Sequence, residues 1–119
     1  MKFKIKARNR RQPGVMNRTE EDFSAYLERL KNAGKIIEWQ FEPIRLRLAK
    51  LTTFTPDFLV TECNKTLTFY EVKGSWKAPH QDDSRAKLKI AAEMYWQFRF
   101  CSAEVITKKN GGGWKITEF

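Results

Sequence analysis

The sequence predicts an α/β domain, a central mixed sheet of four to five strands flanked by helices near residues 18–33 and 83–98. Three observations carry this. Two segments place apolar residues at helical spacing: Phe23, Tyr26, Leu27 and Leu30, then Leu88, Ala91, Ala92 and Tyr95. Between and after them run short stretches of alternating polarity, the pattern of half-buried strands. A chain of 119 residues with 41% hydrophobic and 31% charged residues has enough apolar material for one core and not two.

The chain opens on a basic arm, residues 1–16. Residues 1–18 carry Lys2, Lys4, Lys6, Arg8, Arg10, Arg11 and Arg18 with no acid, so most of the formal charge of +9 is concentrated there. Such an arm suits a polyanion such as nucleic acid, with strongly salt-dependent binding. Read on charge alone it is also a solubilising tail. Phe3 and Ile5 alternate with the lysines, which suggests a strand that packs on a partner subunit. Pro13-Gly14 breaks the arm, and residues 17–119 form the domain proper. Asn17 with Glu20 three residues on has capping-box spacing, and Asn32-Ala33-Gly34 is a helix stop. Glu20 lies at the edge of the apolar stripe, facing a sheet, whereas Glu21 and Glu28 share a more exposed face.

Ile37, Trp39 and Phe41 alternate, then Ile44, Leu46 and Leu48 alternate in the opposite parity, so a bend or bulge is expected at Glu42-Pro43. Residues 51–55 read as a connection. Residues 57–62 and 67–73 read as strands joined by a turn at Cys63-Asn64-Lys65-Thr66. Residues 75–84 are polar and irregular, and their single histidine, His80, is assigned no catalytic role. After the second helix come a strand over 98–107, a turn through Gly111-Gly112-Gly113 and a closing strand over 114–119. The triple glycine has no Lys-Ser/Thr after it, which excludes a phosphate-binding P-loop. Cys63 and Cys101 have no metal-finger or redox spacing and read as reduced thiols. No apolar run approaches the length of a membrane span, and no signal-like region follows Met1. A cytoplasmic protein is expected.

The functional signal lies in residues 55–76. Glu71 and Lys73 are two apart on one strand, so they share a face with the apolar Leu67 and Phe69. Asp57 opens the neighbouring strand directly after Pro56. An acid and a base on an apolar strand face, with a second acid at the mouth of the next strand, is costly unless the group holds a ligand. Hard carboxylate oxygens suit Mg²⁺, and the reading is a divalent ion with a phosphodiester.

Pro56-Asp57 followed by Glu71-Val72-Lys73 resembles the signature of the PD-(D/E)xK nuclease superfamily. The longer pattern, N-R-T-E at 17–20, T-P-D-F at 55–58, E-V-K-G at 71–74 and K-L-K-I-A-A-E at 87–93, is similar to small phage-encoded nucleases and spans residues 17–107. The resemblance implies a restriction-endonuclease-like core of αβββαβ order and a Mg²⁺- or Mn²⁺-dependent endonuclease. It also implies catalytic Glu20, Asp57, Glu71 and Lys73, with the ion held by Asp57, Glu71, the Val72 carbonyl and Glu20. DNA would meet the basic arm, Gly74, Arg85, Lys87 and Lys89. Members of this size include Holliday-junction resolvases, which implies branched DNA, a homodimer and a role in phage recombination or repair. The competing readings are a non-catalytic basic DNA-binding module and a nuclease subunit of a larger recombination or transposition assembly.

Overall fold

Asn17 starts the first helix as its spacing predicts. Its Oδ1 accepts the Glu20 N–H at 2.8 Å, and Glu20 Oε1 accepts the Asn17 N–H at 2.9 Å, a complete capping box. Helix α1 (Arg18–Asn32) then carries Glu20 and Glu21 in its first turn and Arg29 and Lys31 in its last, matching the helix dipole at both ends. The computed structural model describes residues 14–74 and 81–119. The strand expected in the basic arm and the loop over 75–80 lie outside the described residues.

Strand β1 (Ile36–Phe41) pairs with β4 (Phe58–Glu62) across a register irregularity between Ile36 and Glu38. The extra residue flips the parity there, so Ile36 joins the core and Ile37 is 46% exposed, the reverse of the alternation read from sequence. The bend at Glu42-Pro43 forms as expected, with Glu42 at φ 48. Beyond it, β2 (Leu46–Ala49) and β3 (Thr52–Phe54) make a separate antiparallel hairpin, where the sequence reading had only a connection over 51–55.

Strand β4 turns through Lys65 (φ 71) into β5 (Leu67–Lys73), and the Asn64 side chain accepts the Thr66 N–H inside that turn. Helix α2 (Gln81–Met94) ends four residues sooner than the expected boundary at 98. Strand β6 (Arg99–Val105) and β7 (Trp114–Glu118) are joined through a 3-10 turn at Lys108–Asn110. Gly111, Gly112 and Gly113 then take φ of 108, 74 and 86, values that side chains resist.

The main sheet has five strands in the order β1-β4-β5-β6-β7. β5 and β6 are parallel, connected across α2, and the other neighbours are antiparallel. The protein is therefore of α/β class with a mixed sheet. Helix α1 covers one face, burying Phe23 and Leu27 against Phe58, Val60, Val72 and Ala103. Helix α2 and the β2–β3 hairpin cover the other, where Leu46, Leu48, Phe54, Leu88 and Ala91 meet Leu59, Phe69 and Phe100. No helix among the described residues is long and apolar enough to cross a membrane. This topology brings the start of β4, the ends of β5 and β6 and the first turns of both helices to one end of the sheet.

Candidate active site

Asp57 sits where the sheet ladder runs out. The β4–β5 pairing stops at Phe58 opposite Tyr70, and Pro56 has no N–H with which to extend it. The Asp57 side chain takes over: its Oδ2 accepts the Val72 N–H at 2.8 Å, while its backbone carbonyl accepts the Glu42 N–H at 2.8 Å. The residue is fixed on both sides and only 4% exposed.

Two further carboxyls crowd it. Burial, then the charge of Glu71, push the Asp57 carboxyl well above the usual carboxylate range; the Val72 N–H opposes this, and the charge of Glu20 and a hydrogen bond shared with it add to the rise. Glu20 and Glu71 are themselves buried. Glu20 therefore caps α1 and also lies against Asp57.

Lys73 brings the basic charge. Its Nζ lies 3.4 Å from Glu71 Oε2 and donates to Ser84 Oγ at 3.1 Å, which ties the end of β5 to the first turn of α2. Across the parallel ladder Glu104 is in register with Lys73, and Ser102 with Glu71. Ser102 follows Phe100 by two residues and so faces the α2 side with Glu71. It is 1% exposed, and its Oγ has no hydrogen-bond partner. A buried hydroxyl left that way costs roughly 1–3 kcal/mol.

The structure thus brings together Glu20, Asp57, Glu71, Val72 and Lys73. It spreads the basic residues of α2. The Arg85 guanidinium stands 5.9 Å from the centroid of the Phe119 ring, and Lys89 lines a hollow of about 370 Å³ with Ala92, Glu93 and Phe119. Lys87 falls on the other flank of the helix, 3.9 Å from Asp83 Oδ2. Arg18 is exposed, 3.4 Å from Asp22. Lys2, Lys4, Lys6, Arg8, Arg10 and Arg11 lie outside the described residues. Gly74, at the end of β5, is exposed; its φ is not in the left-handed region, and a Cβ there would meet no atom within 4 Å. The fold itself does not require glycine at this position.

Sequence reasoning missed Ser84, Ser102 and Glu104. Ser84 precedes Leu88 by one helical turn, on the same inward stripe, so its direction was readable once the helix start was set earlier. Phe100, Ser102 and Glu104 alternate on one face of a recognisable strand, but only the tertiary pairing shows that this face adjoins Glu71.

Comparison with protein-family models, with curated proteins and with solved structures gave no match.

Among the described residues no three His, Cys, Asp or Glu side chains stand together in metal-ligand geometry. The engaged oxygens account for this: Asp57 Oδ2 is on Val72, Glu20 Oε1 on Asn17 and Glu71 Oε2 beside Lys73. The chemistry of the set still fits a hard divalent cation. Three buried carboxyls stand beside one ammonium, burial and then the charge of Glu71 push one of them, Asp57, above the usual carboxylate range, and a buried hydroxyl beside Glu71 is unspent.

Proposed function

We propose that the protein is a metal-dependent endodeoxyribonuclease of the PD-(D/E)xK type, acting on branched DNA as a homodimer. The observation that carries this reading is the convergence of Glu20, Asp57 and Glu71, all buried, with Lys73 at one end of the sheet. The order of elements supports it as well. In the main sheet one helix precedes three strands and a second helix precedes two, an αβββαβ order with one closing strand added, which is the order expected of a restriction-endonuclease-like core.

Asp57, Glu71, the Val72 carbonyl and Glu20 would hold Mg²⁺ or Mn²⁺. When bound, such an ion supplies a water acidic enough to attack near neutral pH and offsets charge on the phosphoryl oxygens. The chain's own groups set the geometry. The Val72 N–H anchors Asp57, and the Asn17 N–H anchors Glu20. Lys73, steadied by Ser84, presents an ammonium that orients the attacking water and receives charge developing on the phosphate. Gly74 leaves the backbone beside Lys73 open to a phosphate, which gives a reason for a glycine the fold does not need.

The basic arm together with Arg85, Lys87 and Lys89 meets the DNA backbone. No helix-turn-helix or base-reading arm is evident in the sequence, so DNA shape rather than base sequence selects the substrate. Opposed cuts at a junction need two sites related by a two-fold axis, hence the dimer.

Incubation with duplex, single-stranded, flap and four-way DNA, each in Mg²⁺ or EDTA, tests the reading. Cleavage should require the metal and favour branched DNA. Asp57→Ala should end cleavage yet bind DNA as well or better, because carboxylate repulsion is removed. Metal-independent binding with no cleavage under any condition would identify a DNA-binding module instead.

A further inference from the structure

Ser102 is a buried polar side chain that the fold leaves unused. Its neighbours in the sheet explain why that matters. On one side it is in register with Glu71, on the other with Thr117. Being 1% exposed, Ser102 cannot touch a substrate; whatever it does it does through a neighbour. A serine hydroxyl offers one donor, and an ionised carboxylate is purely an acceptor with capacity on both oxygens. Glu71 Oε2 lies 3.4 Å from Lys73 Nζ, and the Ser102 hydroxyl has no partner.

We propose that Ser102 is a positioning residue for Glu71: its hydroxyl donates to the Glu71 carboxylate and holds it in the orientation that receives a divalent cation. This rests on the metal-dependent reading above. Groups that orient a ligating carboxylate from behind commonly change metal affinity about 10–100-fold when removed.

The two roles a buried serine can play give opposite results in the cation-free protein. A hydroxyl that holds the fold together lowers the melting temperature when it is removed. A hydroxyl held in reserve for the cation leaves the melting temperature unchanged or raised, because an unsatisfied polar atom is lost.

The test uses DNA-free protein, comparing wild type, Ser102→Ala and Ser102→Cys. Mn²⁺ affinity is read by electron paramagnetic resonance of the free ion, and thermal melting is recorded in EDTA. Ser102→Ala should weaken Mn²⁺ binding about tenfold or more with an unchanged or higher melting temperature. Ser102→Cys, a weaker donor of similar shape, should fall between the two. Wild-type Mn²⁺ affinity in both variants would overturn the proposal while leaving the nuclease reading intact, as would a melting temperature lowered in both with affinity retained. Wild-type protein that binds no Mn²⁺ would overturn this inference and the metal-dependent reading together, whereas Mn²⁺ binding lost in Asp57→Ala but kept in both serine variants would overturn this inference alone.

Discussion

Arg99 and Asp57 lie at opposite ends of the five-stranded sheet and meet opposite surroundings. Arg99 reaches Glu62 Oε2 at 2.7 Å and grips Glu118 through Nε and a terminal nitrogen at 3.0 and 3.1 Å. Thr68 donates to the same Glu62 oxygen, so β4, β5, β6 and β7 are joined through one arginine held between two carboxylates. At the other end burial, then the charges of Glu71 and Glu20, drive the Asp57 carboxyl towards the neutral form. The first end is complete within the protein. On the metal-dependent reading proposed above, the second is completed by positive charge from outside.

Substitutions should separate the two ends, most strongly in activity. Glu71→Gln should lower Mg²⁺-dependent cleavage about a thousandfold, ~4 kcal/mol of transition-state stabilisation, while Arg99→Gln should leave the rate of the folded enzyme near wild type. Single-turnover cleavage at saturating Mg²⁺ reads this; equal losses in both variants would erase the distinction.

Stability should move in opposite directions. Arg99→Gln breaks charged hydrogen bonds that are partly open to solvent, at a cost of about 1–2 kcal/mol. Asp57→Asn removes the crowded charge and keeps an oxygen for the Val72 N–H, and should stabilise by about 0.5–2 kcal/mol in EDTA. Urea melts of the two variants check both signs.

A pH series sharpens the contrast further. The Asp57 pKa is raised on folding, mainly by burial and then by Glu71, so its favourable contribution is full below the ordinary carboxylate value and is lost as pH rises through the folded value. The gain from Asp57→Asn should therefore vanish below about pH 4 and grow above it. Glu118, by contrast, is lowered chiefly by its hydrogen bond to Arg99, so its contribution is present above the ordinary value and is lost as pH falls. Melting temperatures from acid to neutral pH would show the two variants diverging as pH rises.

The smallest effect concerns the arm. Deleting residues 2–11 should leave catalysis on a saturating substrate intact and flatten the slope of log affinity against log salt by about 0.9 per lost phosphate contact. An unchanged slope would remove the arm from the DNA interface.

How far each end could be read from sequence follows from how local its signals are. Asp57, Glu71 and Lys73 announce themselves through a proline, a two-residue strand period and a recognisable spacing. Glu20 does so through its cap and helical phase. The Arg99 cluster joins residues 62, 99 and 118, and Ser102 meets Glu71 only because β5 and β6 lie parallel across α2; neither fact has a local signature. The β2–β3 hairpin was missed for a different reason. Its turn places Leu51 at φ 61 and 96% exposed, in a conformation that glycine or asparagine normally fills, so the usual turn signal is absent. The β1 irregularity likewise turns Ile37 outward with no mark in the sequence.

Thermal melting of wild type and Asp57→Asn across a Mg²⁺ titration, against an EDTA reference, tests the central claim that the acid end is built around a cation. A ligand that binds only the folded state stabilises it by about 2.7 kcal/mol at a hundredfold excess over Kd. The wild-type melting temperature should climb steadily with Mg²⁺ from a low EDTA value, while Asp57→Asn should start higher and respond weakly. Wild-type curves that coincide in Mg²⁺ and EDTA would contradict the claim.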